Sequence, residues 1–145
     1  MTTPQRNLLL IMARDFASRM ATATFLVDPE GALIYFNEAA EAVLGRPFVE
    51  GRSMPASEWS TAFQPQDEAG RPVPLGSLPL GVALTRHAPA HGTLRITGTD
   101  GVPRTIEVTG VPLFAHAGAF VGAMAIFWEP EAGQEAGQEA GQETG

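Results

Sequence analysis

The segment Phe120–Trp128 constrains the fold more than any other part of this chain. It is apolar on both alternations, with Phe120, Met124, Ile126 and Trp128 on one and Val121, Ala123, Ala125 and Phe127 on the other. Successive side chains of a strand point to opposite faces, so a strand of this composition must be covered on both. The segment therefore belongs at the centre of a sheet, with short helices over one face and a further helix over the other.

A helix suited to the second face lies near the N-terminus. Leu9, Met12, Phe16 and Met20 recur at spacings of three, four and four, which marks one face of a helix from about Gln5 to Ala21. Arg14, Asp15, Ser18 and Arg19 fall largely on the opposite side. A lone amphipathic helix gains little stability by itself, so the stripe needs a partner. One stripe does not distinguish packing on the same domain from pairing with a second copy. Leu9, Met12, Phe16 and Met20 are thus also the candidate interface of a homodimer.

From Thr24 the pattern becomes strand-like. Thr24–Val27 and Ala32–Phe36 flank Asp-Pro-Glu-Gly at 28–31, where Pro sets φ at the second turn position and Gly relieves strain at the fourth, predicting a hairpin. Asn37 precedes the alanine-rich segment Glu38–Leu44, and Gly45 follows it. Asn accepts from free N–H groups at a helix start, Glu38 and Glu41 suit the positive end of the dipole, and Gly tolerates a left-handed closing residue. The middle, Arg46–Pro74, reads as loops and short helical turns pinned by Phe48, Trp59 and Phe63. Ser77–Arg86 predicts a second short helix, with Ser77 as its cap and Pro79 in its first turn. The last third predicts strands at Thr93–Thr97, Arg104–Phe114 and Phe120–Trp128, separated by turns at Thr99–Gly101 and Ala115–Gly118. From Glu131 the chain repeats Glu-Ala-Gly-Gln three times and ends Glu-Thr-Gly. With no large apolar residue, it is expected to be a disordered tail. The expected organisation is a helix at 1–23, a domain at 24–130 and a tail at 131–145.

Charge narrows the partners. The formal net charge is −7, all nine basic residues are Arg, and Glu131, Glu135, Glu139 and Glu143 add to the acidic excess in a tail without cations. Nucleic-acid binding depends on clustered cations that neutralise phosphates, so no nucleic-acid partner is expected, and anionic membranes are disfavoured for the same reason. The absence of Cys excludes disulfides, a thiolate nucleophile and Cys-ligated metal. The apolar cluster Leu8–Met12 is broken by Asp15 and Arg19, short of the about 20 residues of a membrane span. The expected location is the cytoplasm.

The order of hairpin, short helices and three-stranded meander with a central last strand resembles the PAS domain. The strings that carry the resemblance are FLVDPEGALIYFNEAAEAVLG at 25–45, LPLGVAL at 78–84, and the closing series of DG, RTIEV, VPL and AFVGAMAIF between Asp100 and Phe127. The resemblance spans Phe25 to Glu129. It implies an α+β fold: a five-stranded antiparallel sheet with short helices on one face, wrapped around a small cavity, and a preceding amphipathic helix that in many members pairs two protomers. It also implies a sensory or docking module, not an enzyme, that acts through a signalling partner protein such as a kinase or regulator, since the chain has no room for an output domain. Asn37 matches the family's Asn at the start of the first helix, in a capping role. The flavin-photoadduct and coumaroyl branches need a Cys that this chain lacks. The haem branch uses a His on the helix corresponding to Ser77–Arg86; His87 lies just past its end, where a C-terminal cap is the more economical role.

Other chemistry is sparse. His91 and His116 fall in predicted turns, without spacing for a metal site. Ser53, Ser57, Ser60 and Ser77 lack a nucleophile-elbow context, and Asp28 and Glu30 read as turn residues. No acid, base and nucleophile set converges. The expected function is a sensor whose cavity binds a small apolar or aromatic ligand, with Val43, Leu44, Phe48, Trp59, Phe63, Leu80, Leu84, Met124 and Ile126 as candidate lining. The alternative is an unliganded interaction domain that dimerises through its first helix. The sequence does not name a cofactor.

Overall fold

The structure, a computed structural model, describes residues 4–51 and 54–130; the tail expected at 131–145 and Ser53 lie outside them. Five strands form one antiparallel sheet: β1 (Ala23–Val27), β2 (Leu33–Phe36), β3 (Ala90–Thr97), β4 (Pro103–Phe114) and β5 (Phe120–Trp128), in the order β2-β1-β5-β4-β3. The two-sided apolar strand β5 is central. It pairs Ala125 with Phe25 of β1 and Gly110 of β4. This register puts Phe25, Val108, Ala123, Ala125 and Phe127 on one face, the inner one, while Leu26, Met124 and Ile126 point to the other.

Three short helices cover the inner face. α2 (Glu38–Leu44) starts where the Asn37 side chain accepts from the Ala40 N–H and stops at Gly45, whose φ of 72° is the left-handed conformation glycine adopts without strain. α3 (Ala56–Ala62) presents Trp59 to the core. α4 (Pro79–Arg86) follows a 3-10 turn at Leu75–Ser77, which contains Ser77; the residue at the cap position is Leu78, and no side chain caps the helix there. Pro79 starts the helix instead, because at the first helical position its fixed φ is already helical and it has no N–H left without a partner. α4 packs directly on β4 at Gly110, where a Cβ would overlap the Pro79 carbonyl.

The outer face is partly covered by α1 (Pro4–Ser18), which packs against β1, β2 and β5. The helix ends earlier than Ala21, in tight turns in which Arg19 and Met20 N–H groups reach the Phe16 and Ala17 carbonyls. Its stripe is also rotated from expectation. Ala17 is fully buried, Leu10 approaches Gly122 of β5, and the Arg14 guanidinium lies 4.6 Å from the Tyr35 ring centroid while pairing with Glu50. Met12 and Phe16 therefore face solvent, at 57% and 62% exposure, while Leu9 and Met20 are half-buried. Arg14 supplies the reason: its stem and planar head cover Tyr35 and Phe48, a contact open to an arginine on what otherwise reads as the polar side.

Asn37 ties these layers together. It is 1% exposed. Its Oδ1 accepts from Ala40 and Thr24 N–H groups, both at 3.0 Å, and its Nδ2 donates to the Ala17 and Thr22 carbonyls, both at 2.9 Å. One amide thus holds the start of α2, the start of β1 and the end of α1.

Candidate ligand cavity

Between the helices and the inner face lies a cavity of about 80 Å³. Its walls are Phe25 from β1, Leu44 from the end of α2, Trp59 from α3, Phe63 and Pro65 beyond it, Leu78, Pro79 and Leu80 from the start of α4, Leu94 and Ile96 from β3, Ile106 and Val108 from β4, and Ala125 and Phe127 from β5. Every one of these residues is apolar. The single polar handle nearby is already used: the Trp59 indole N–H donates to the Gly31 carbonyl at 2.7 Å, which orients the ring edge-on to Phe25.

Of the lining residues expected from sequence, Leu44, Trp59, Phe63 and Leu80 come together around this cavity. Val43 is buried in the same core without lining it, and Leu84 is half-buried, its side chain toward Gly31. Phe48 borders a smaller hollow with Leu33, Phe36 and Met54. Met124 and Ile126 are on the outer face, because the register with β1 and β4 turns the alternate set, Ala125 and Phe127, inward. Both alternations of β5 are apolar, so its sequence alone does not choose between them. The β3 and β4 residues Leu94, Ile96, Ile106 and Val108 were not anticipated as lining; alternation in Leu-Arg-Ile and Ile-Glu-Val was the available signal.

The residues present do not fit the coloured cofactors of this kind of fold. The chain has no Cys for a photoadduct, and no lining side chain offers a hydrogen bond to a flavin ring edge. His87 does not reach the cavity. It closes α4 in the left-handed conformation, at φ 55°, and its ring stacks on Phe120 at 3.8 Å between centroids. The other histidines are likewise remote. His91 lies within β3, not in a turn, because β4 is long enough to pair with β3 back to Ala90. There its ring bridges Thr109 and Glu107, each at 2.8 Å. The hydrogen bond from Thr93, assisted by His91, holds the Glu107 carboxyl below the usual glutamate range. Among the described residues no group of His, Asp or Glu is arranged to hold a metal ion, and no helix is long and apolar enough to cross a membrane.

Comparison with known proteins agrees with the architecture. No curated protein matches the sequence. Among solved structures, the PAS domain of BvgS from Bordetella pertussis superposes with a TM-score of 0.58 at 15% identity, covering 94% of this chain and 99% of that one. The LOV protein of Rhodobacter sphaeroides gives 0.63 at 18% identity, covering 88% and 70%. The light-state dimer of the fungal blue-light photoreceptor Vivid gives 0.55 at 19%, covering 89% and 95%. These likenesses speak to the fold. The sequence profile of the PAS fold matches residues 17–132, four-fifths of the chain and the whole of the sheet with the three helices on its inner face, and on that match this chain belongs to the PAS-fold family of sensory and signalling modules.

Proposed function

We propose that this chain is a sensory module that takes a small, uncharged, apolar ligand into the inner cavity and relays its presence to a partner protein such as a kinase or regulator. The observation that carries this reading is the lining, which is apolar on every wall. Such cavities stay dry and accept hydrocarbons, and a cavity of about 150 Å³ holds benzene. At about 80 Å³ this one suits a short alkyl chain. The relay has a short route. Phe25 lines the cavity, and its neighbour Thr24 is held by the same Asn37 amide that grips the end of α1. A ligand that displaces β1 acts on α1 through that amide.

A ligand that binds only the folded state stabilises it by about 1.4 kcal/mol at ten times its Kd. For a domain of this size that raises Tm by about 4 °C. Thermal unfolding in buffer equilibrated with propane at increasing pressure measures this. A saturable rise is expected, and an unchanged Tm up to the solubility limit contradicts ligand binding.

A second reading, homodimerisation through α1, is favoured by the exposed row Leu8, Ile11, Met12 and Phe16, all above half exposure on one helix. The light-state dimer of Vivid is a precedent within the fold. The double variant Met12→Glu, Phe16→Glu is expected to halve the mass measured by light scattering while keeping the circular-dichroism spectrum of the folded domain, since both side chains are largely exposed. An unaltered mass removes this interface. Truncation of the helix is the poorer test, because it strips the carbonyl partners from Asn37.

A further inference from the structure

At one edge of the sheet, β3 offers unpaired backbone. The Arg95 N–H and C=O both point away from β4 and pair with Gln66, at 2.9 and 2.8 Å, and the Thr97 N–H turns the same way to the Phe63 carbonyl. In an antiparallel ladder without a bulge this direction repeats every second residue, so the N–H and C=O groups of His91 and Thr93 face the same side. Among the described residues they have no hydrogen-bond partner. Every residue from Ala90 to Arg95 is half-buried or exposed, and between Ala90 and Leu94 there is none of the prolines or lysines that commonly guard an edge. Gln66 shows that this edge accepts an added strand. It also marks where such a strand must stop, because it fills the place beside Arg95. Two features flank the open stretch. On the inner side Gly92 leaves a gap, where a Cβ would lie 3.5 Å from the Pro79 Cγ, and Leu94 adds a half-buried apolar neighbour. At the closed end the exposed Arg95 guanidinium makes no ion pair or hydrogen bond among the described residues.

We propose that this edge binds the C-terminal end of a partner protein as an added parallel strand, with the terminal carboxylate against Arg95. The direction follows from charge. A strand that stops at Gln66 places one of its ends beside Arg95, where a carboxylate is attracted and an amino terminus is repelled. In parallel pairing the penultimate residue stands opposite Gly92, donates to the His91 carbonyl and accepts from the Thr93 N–H, while the residue two before it accepts from the His91 N–H. The penultimate side chain then points to the inner side, over Gly92 and beside Leu94 and Pro79, which selects a branched apolar residue. The inference stands whether or not the cavity takes a ligand.

The probe is acetyl-Thr-Val-Thr-Val-Thr with a free carboxylate, compared with its C-terminal carboxamide, each titrated into the isotope-labelled full chain and followed by NMR. The expected result is a saturable downfield shift of the His91 and Thr93 amides with the acid, binding of the carboxamide weaker by about three- to fivefold, and the same loss for the acid on Arg95→Gln. Thr93→Pro removes an edge N–H that lies outside the ladder and is expected to abolish binding. Should that variant not fold, the comparison of acid and carboxamide on the native chain still decides. No saturable shift of those two amides overturns the site. Equal binding of acid and carboxamide overturns the C-terminal carboxylate as its occupant. If the His91 and Thr93 amides are already protected from exchange in the chain alone, with a dimeric mass, the edge pairs a second copy and the proposal falls.

Discussion

Asn37 shows how much one side chain can carry when every hydrogen-bonding group on it is used. The side chain caps α2 through its oxygen and reaches the Ala17 carbonyl of α1 and the Thr22 carbonyl beyond it through its nitrogen, from a position that is 1% exposed. Losing an N-cap costs about 0.5–2 kcal/mol, and each buried partner left unsatisfied adds about 1–3 kcal/mol. Asn37→Ala is therefore expected to destabilise the domain by about 3 kcal/mol, measured as a shift of the urea midpoint. A loss below about 1 kcal/mol would show that water replaces the amide. The capping role was legible in the sequence, since Asn followed by Glu and Ala is a local signal. The grip on Ala17 and Thr22 was not, because those partners are 20 and 15 residues away.

Among the elements, legibility followed the locality of the code. The bounds of α2 and β5 are as the sequence implies, because a cap pair fixes one and an unbroken apolar run the other. The start of β3 and the cap of α4 departed from expectation. β3 extends to Ala90 because β4 offers a partner, and Leu78 precedes α4 because a proline at the first helical position starts the helix in place of a side-chain cap. Met124 and Ile126 fell on the wrong face for a related reason: faces are assigned by register, and register is set between strands. The fit of α4 on β4 gives an element-scale prediction. Gly110→Ala places a methyl against the Pro79 carbonyl and pushes the first turn of α4 off the sheet. The expected cost is about 1–3 kcal/mol, as for other overpacked sites. Because Pro79 and Leu80 both line the cavity, propane should also lose its stabilising effect on the variant. Full retention of that effect in a destabilised variant would separate α4 from the ligand site.

At the scale of the whole molecule, one sheet serves two surfaces. Its inner face and three short helices enclose an apolar space, and its outer face carries a helix whose solvent side is itself apolar. β1 and β5 belong to both, so a change within the cavity has a direct path to α1. The central claim is that the cavity between the sheet and α4 is a ligand site, and xenon, which enters dry apolar cavities, probes it most directly. Diffraction from a crystal pressurised with xenon is expected to show one strong peak bounded by Trp59, Leu80, Ile106 and Phe127. A crystal that takes up xenon only at surface sites, with that space filled by side chains, would contradict the claim.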